Sequence, residues 1–266
     1  MRRLPPGGRI PALDGLRGVL AVVVLTYHVT LCCGTNALGN FATASVCCFF
    51  IISGFVLTQA YDGRYAAFLA RRAVRLWPVY ALCFLIGAAV QRRAFPLPVL
   101  AWFPGLDFHP GMPALLANPP AWSLCIEAWA MPFIPLIAWF GRGSVTRAAL
   151  IPPLCLALWE IPGPAFWLGF FCVGAALSRF DFRSRPLEAR IPQWLGKVSY
   201  SLYLVHMPVL SALLIAFGRP GVVLGVPLVF SAAWLMWKYV ERPSITLSRR
   251  VGRPARPAAL PLPVPG

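Results

Sequence analysis

The sequence predicts an all-α fold, a polytopic bundle of transmembrane helices, and three observations carry that prediction. The 266 residues are 59% hydrophobic and only 12% charged, with a mean hydropathy of +0.70. A soluble domain carries about 25% charged residues, so this chain lacks the polar surface to cover a globule in water. The apolar residues also gather into windows near the length that crosses roughly 30 Å of hydrocarbon as a helix. Finally, the basic residues collect in alternate connecting segments, as the positive-inside rule requires.

Eight windows are expected to span, at about residues 15–33, 41–60, 76–91, 121–140, 148–162, 163–178, 195–218 and 220–240. The first follows basic residues but contains Tyr27 and His28 and lacks a small-x-small cleavage site, so it reads as a retained helix rather than a leader. The fifth and sixth are short and parted by Ile161-Pro162-Gly163-Pro164, a cluster that turns or kinks a helix. Residues 92–120, rich in Pro, Gly and Trp, read as an outer loop with an interfacial or re-entrant piece. Residues 1–242 form the membrane domain, and residues 243–266, dominated by Pro, Arg and Ala, read as a disordered cytoplasmic tail.

The net charge of +16 comes from 22 Arg and 2 Lys against 8 acids. With the N-terminus inside, 21 of the 24 basic residues fall on the inner side and only Arg92, Arg93 and Arg219 fall outside. An even number of spans with both termini cytoplasmic therefore accounts for the basic excess, and no nucleic-acid partner is expected. The 8 cysteines lie in apolar stretches without CxxC spacing or a His cluster, so they read as small core hydrophobes and no metal site is expected.

Ionisable groups inside a bilayer cost at least about 2.5 kcal/mol each, which makes every one a candidate for function. Asp14 and Arg17 open the first span, and His28 follows Arg17 by eleven residues. Eleven helical steps end roughly 20° past three full turns and climb roughly 16 Å, so Arg17 and His28 share a face. Taken alone, Arg17 reads equally as a partner for Asp14 at the membrane surface, and His28 as a hydrogen-bonded interior histidine. In the fourth span Glu127 is expected roughly 9 Å below the outer face, near the depth of His28, so the two are placed to meet. Ser123 and Glu127 are four residues apart and face the same way, with Trp122 beside them. Ser199, Tyr203 and His206 form a polar stripe on the seventh span, a pattern that also serves to glue helices together. The loop between the second and third spans carries Arg71-Arg72-Ala73-Val74-Arg75, where Arg72 and Arg75, three residues apart at a cytoplasmic helix end, suit a phosphate held by paired charge-assisted bonds, or equally a positive-inside stop signal.

Taken in order, these segments resemble a known family. Leu13-Asp14-Gly15-Leu16-Arg17-Gly18 with its spacing to His28, Phe49-Phe50-Ile51-Ile52-Ser53-Gly54-Phe55, and Arg72-x-x-Arg75 before Leu76-Trp77-Pro78-Val79-Tyr80 are similar to the acyltransferase 3 family of integral-membrane O-acyltransferases. Trp122-Ser123-Leu124 with Glu127, Ser199-Tyr200-Ser201-Leu202-Tyr203-Leu204, and Glu241-Arg242-Pro243 continue the resemblance. It departs in two places: the stretch between the Glu127 helix and the Ser199 helix is compressed, and Ala128-Trp129-Ala130 stands where the family tends to carry a second acid and an aromatic pair.

The resemblance implies transfer of an acyl group, usually acetyl, from cytoplasmic acyl-CoA to a hydroxyl of a glycan, a lipid-linked sugar or a secondary metabolite, in the plasma or inner membrane. Acyl-CoA is then a donor substrate and no bound cofactor is implied. Arg17, Arg72 and Arg75 would hold the anionic end of CoA. His28 would act as general base or transient acyl carrier, with Glu127 orienting or charging it. Asp14, Trp122, Ser123, Ser199 and Tyr203 would support the acceptor cavity. A transporter or flippase would also use intramembrane His, Glu and Tyr, and the compressed stretch also fits an inactive family member.

Overall fold

The computed structural model describes residues 10–92, 117–143, 150, 153, 157 and 165–252. Among these residues the secondary structure is helical throughout, with no strand. Helix α1 (Pro11–Cys32), α2 (Gly39–Ala60) and α3 (Tyr65–Val90) are joined by short loops. Pro11 at the first position of α1 loses no intrahelical bond and pre-sets the helical φ. A 3-10 turn (Pro119–Ala121), α4 (Trp122–Ala130), a second 3-10 turn (Met131–Phe133) and α5 (Ile134–Arg142) run on as one span. The tightening at its centre coincides with Pro132 and Pro135, which remove donors from the helical ladder. Then come α6 (Ala165–Leu177), α7 (Arg190–Leu224), α8 (Val226–Met236), a π turn (Trp237–Glu241) and α9 (Arg242–Ser248).

Five of these stretches are long and apolar enough to cross a bilayer: α1, α2, α3, the run Pro119–Arg142, and α7. They correspond to the windows expected at 15–33, 41–60, 76–91, 121–140 and 195–218, within a residue or so where a window overruns its helix. The sixth window became α6, whose apolar stretch Phe166–Leu177 is shorter than a crossing helix. The boundary expected between the last two windows falls at Gly218, whose φ of 68° and ψ of −162° break α7 just before Pro220. The window at 148–162 lies almost wholly outside the described residues.

Two expectations need correction. Arg71, Arg72 and Arg75 do not sit in a loop: α3 begins at Tyr65, so all three lie within the helix. Tyr65-Ala66-Ala67-Phe68-Leu69-Ala70 holds no breaker, and arginine is itself a good helix former. The segment assigned to a disordered tail starts as α9, which continues to Ser248, because Pro243 stands in the first turn of α9, where a missing N–H costs nothing. Residues 253–266 lie outside the described residues.

Close backbone approach sets the packing. A Cβ on Gly15 would collide with the Leu187 carbonyl, one on Gly18 with the Gly196 amide, and one on Gly196 with the Asp14 carbonyl. Small residues at such a seam let two helices meet backbone to backbone, the usual device where lipid supplies no hydrophobic drive. Gly54 and Gly174 do the same for α2 and α6, against Phe171 and Ile51. One apolar cluster, including Val24, Leu25, Val79, Phe84, Leu202, Leu210 and Val229, joins α1, α3, α7 and α8. A second, including Phe50, Leu57, Phe68, Ile126, Ile134 and Phe171, joins α2, α4, α5 and α6 with the start of α3. Arg17, Arg72, Arg75, Glu127 and Tyr200, which line an interior cavity, come from helices of both clusters.

At the α2–α3 loop, Arg64 and Arg71 both pair with Asp62, at 3.0 and 3.3 Å. Slight burial works against ionisation there, but the Arg64 hydrogen bonds and the Arg71 charge hold the Asp62 carboxyl below its ordinary value. The described cysteines are free thiols, with Cys83, Cys125 and Cys172 buried in the core.

Candidate active site

The three arginines singled out by position converge. Arg17 of α1 and Arg72 and Arg75 of α3 line one cavity together with Ser53 of α2, Glu127 of α4 and Tyr200 of α7. An adjoining cavity is lined by Arg72, Glu127, Tyr80, Leu124, Met131 and Tyr200. Arg72 forms a close ion pair with Glu127. Its Nε–H is buried and has no partner among the described residues. Arg75 lies within electrostatic reach of Arg17, Glu241, Tyr200 and Asp14. Glu241, brought inward by the π turn and 5% exposed, accepts a 2.6 Å hydrogen bond from Ser201. The basic cluster is thus partly neutralised by acids from α4 and the π turn.

Glu127 does not join His28 as expected. The start of its helix is held against α7 by long-range bonds that helical counting does not foresee. Asn118 Nδ2 donates to the Leu204 carbonyl at 2.9 Å, and the Tyr203 hydroxyl lies 3.2 Å from the Pro120 carbonyl. Ser123 is one turn further along, 2.9 Å from the Tyr203 hydroxyl, and Glu127 one turn beyond that, beside Tyr200 and within reach of Arg72. An uncompensated carboxylate there would be costly, and the guanidinium is the nearest compensation.

The neighbour of His28 is instead His206 of α7. Their ring centroids are 4.8 Å apart, His206 Nε2 lies 3.2 Å from His28 Nδ1, and the latter is 2.9 Å from the Val24 carbonyl. Tyr203 packs edge-on against His206 at 6.1 Å, so the Ser123–Tyr203 pair borders the His206 ring. Of the other expected supports, Ser199 bonds its own helix at the Gly196 carbonyl, and Trp122 packs against Phe50 and Trp167 in the core. Among the described residues no three His, Cys, Asp or Glu side chains group to hold a metal. Sequence reasoning left out Ser53, Tyr200, Ser201, His206 and Glu241 from the site, although each stands in or beside a quoted motif.

Comparison with known proteins decides the family. Residues 10–191 match the model of acyltransferase 3, described as an acyltransferase domain. The chain belongs to the acyltransferase 3 family. The match takes in Arg17, His28, Arg72, Arg75 and Glu127, while Ser199, Tyr203, His206 and Glu241 lie beyond it. The acyltransferase is also 30% identical over 157 residues to "Protein 2 in picA locus" of Rhizobium radiobacter, an alignment covering 48% of this chain and 81% of that protein. No solved structure matches. Family membership and the five long apolar helices together make the chain a membrane acyltransferase.

Proposed function

We propose that this acyltransferase takes an acyl group, acetyl in the first instance, from cytoplasmic acyl-CoA and places it on a hydroxyl of a glycan, a lipid-linked sugar or a secondary metabolite, as a multi-pass protein of the plasma or inner membrane. The observation that carries the reading is the convergence of Arg17, Arg72 and Arg75 on one cavity, with His28 eleven residues further along the helix that bears Arg17. Guanidinium groups suit phosphates because they are always charged and present several fixed donors. The free Nε–H of Arg72 supports a site built for an anion the protein does not itself provide. The extended pantetheine arm of the donor would then follow α1, which rises roughly 16 Å between Arg17 and His28. An imidazole is a fitting base there, since its unperturbed pKa is about 6.5.

In this reading His28 takes the proton of the acceptor hydroxyl as its oxygen attacks the thioester carbonyl. Ser123 and Tyr203 offer hydroxyls to the acceptor beside the imidazoles. The test uses inside-out membrane vesicles and acetyl-labelled acetyl-CoA, comparing wild type with His28→Ala. Label is expected in an envelope glycan or lipid fraction with the wild type, and reduced by about 10²- to 10⁴-fold in the variant. Equal labelling would remove His28 from the chemistry, and no labelling with either would overturn the acyl-transfer reading.

A further inference from the structure

Resting on the acyl-transfer reading, we propose that His206 is a positioning residue that holds the proton on Nδ1 of His28, and thereby makes Nε2 of His28 the nitrogen that takes the acceptor's proton. His206 is 1% exposed, so both of its ring nitrogens require partners from the protein. Its Nδ1 lies 3.0 Å from the Leu202 carbonyl, and a carbonyl oxygen can only accept. Nδ1 therefore carries the hydrogen, and in a neutral ring Nε2 is left with a bare lone pair. The atom facing that lone pair, at 3.2 Å, is Nδ1 of His28. It too faces an acceptor, the Val24 carbonyl at 2.9 Å. Only a hydrogen on His28 Nδ1, shared between Val24 O and His206 Nε2, satisfies every contact.

One arrangement follows for both rings. His28 keeps Nδ1–H, and its Nε2 is basic and has no protein partner among the described residues. A second proton is also directed. On His28 Nε2 it leaves the donation to His206 intact, whereas on His206 Nε2 it would set N–H against N–H. The acceptor O–H gives its proton to His28 Nε2 while its oxygen bonds the acyl carbon. The C–S bond breaks, and the departing CoA thiolate recovers that proton as a thiol, leaving the ester. Throughout, His206 acts on the imidazole and never touches a reacting atom, as the third member of a catalytic triad orients its histidine.

The first arm of the test needs no acyl acceptor. The full chain has 3 histidines, so ¹⁵N-histidine labelling in lipid nanodiscs gives a spectrum simple enough to assign with His109→Gln and His206→Gln. Expected are neutral rings with Nδ1 protonated on both His28 and His206, and a protonated Nε2 on His28 would overturn the proposal. In the second arm, acetyl transfer is compared between His206→Leu and His206→Gln, whose amide oxygen can still accept from Nδ1–H. The Leu variant is expected to lose at least about tenfold in kcat with KM for acetyl-CoA within about twofold, and the Gln variant to regain a large part. Equal losses in both, or a loss confined to KM, would overturn a positioning role. If the wild type transferred no label at all, the acyl-transfer reading would fall by that result, while the nitrogen spectrum would still decide the hydrogen-bond assignment.

Discussion

Leucine at both ends of the Arg72–Glu127 pair should be tolerated better than leucine at either end alone. At about 4 Å and an effective dielectric near 20, two unit charges attract by about 4 kcal/mol, and several kcal/mol of desolvation oppose that gain. Replacing both by apolar groups is therefore expected to be near neutral, whereas deleting one leaves an uncompensated charge at a cost of about 3–5 kcal/mol. The side chains are 17% and 14% exposed, so some water reaches them and the lower end, about 3 kcal/mol, applies. Glu127→Leu should be the worse single change, because it leaves Arg17, Arg72 and Arg75 lining one cavity without that carboxylate. The assay is thermal unfolding in detergent by tryptophan fluorescence, over the full cycle of wild type, two single variants and the double. A double variant as unstable as the two losses added together would refute the reasoning. Donor binding, read separately, should weaken in every variant lacking Arg72.

Three further outcomes are expected. Gly196→Val drives a side chain into the Asp14 carbonyl, where neither backbone can yield, and should cost about 3 kcal/mol or more, seen as reduced yield and melting temperature. Ser123→Ala and Tyr203→Phe should couple by about 0.5–1.5 kcal/mol in a double-mutant cycle, as two hydroxyls sharing one buried bond, and strict additivity would contradict the contact. The depressed Asp62 carboxyl contributes stability that is complete above its ordinary value of 3.8 and is lost as pH falls through its lower folded value. Proteolysis of the α2–α3 loop should thus increase only below about pH 4, and Asp62→Asn should remove that dependence.

Helical period made much of this legible. Arg17 and His28 lie on one helix, and the three arginines meet because α1 and α3 both offer them at the same end of the bundle. The Ser123–Tyr203 contact likewise joins two residues picked out by spacing. What period cannot supply is how one helix stands against another. The place of Glu127 depends on Asn118, which anchors the start of its span to α7 across 86 residues of sequence. His206 looked like part of a packing stripe because its partner is 178 residues away. Glu241 faces inward through a π turn, whose extra residue shifts the helix face in a way that 3.6-residue counting does not foresee.

The glycine seam between α1 and α7 works as a pivot with two equal arms. Gly18 touches Gly196, and from each of them the imidazole lies ten residues further along its helix, at His28 and at His206. Both helices run the same way from the seam, so each arm rises about 15 Å and turns through the same angle. The two rings arrive level because the counts match, whatever the side chains between them. Inserting one residue into either arm would swing its ring by about 100° and lift it by about 1.5 Å, separating the pair while leaving every residue of the site in the chain. The meeting of the two rings is therefore set by chain length alone, from glycine to histidine on each helix.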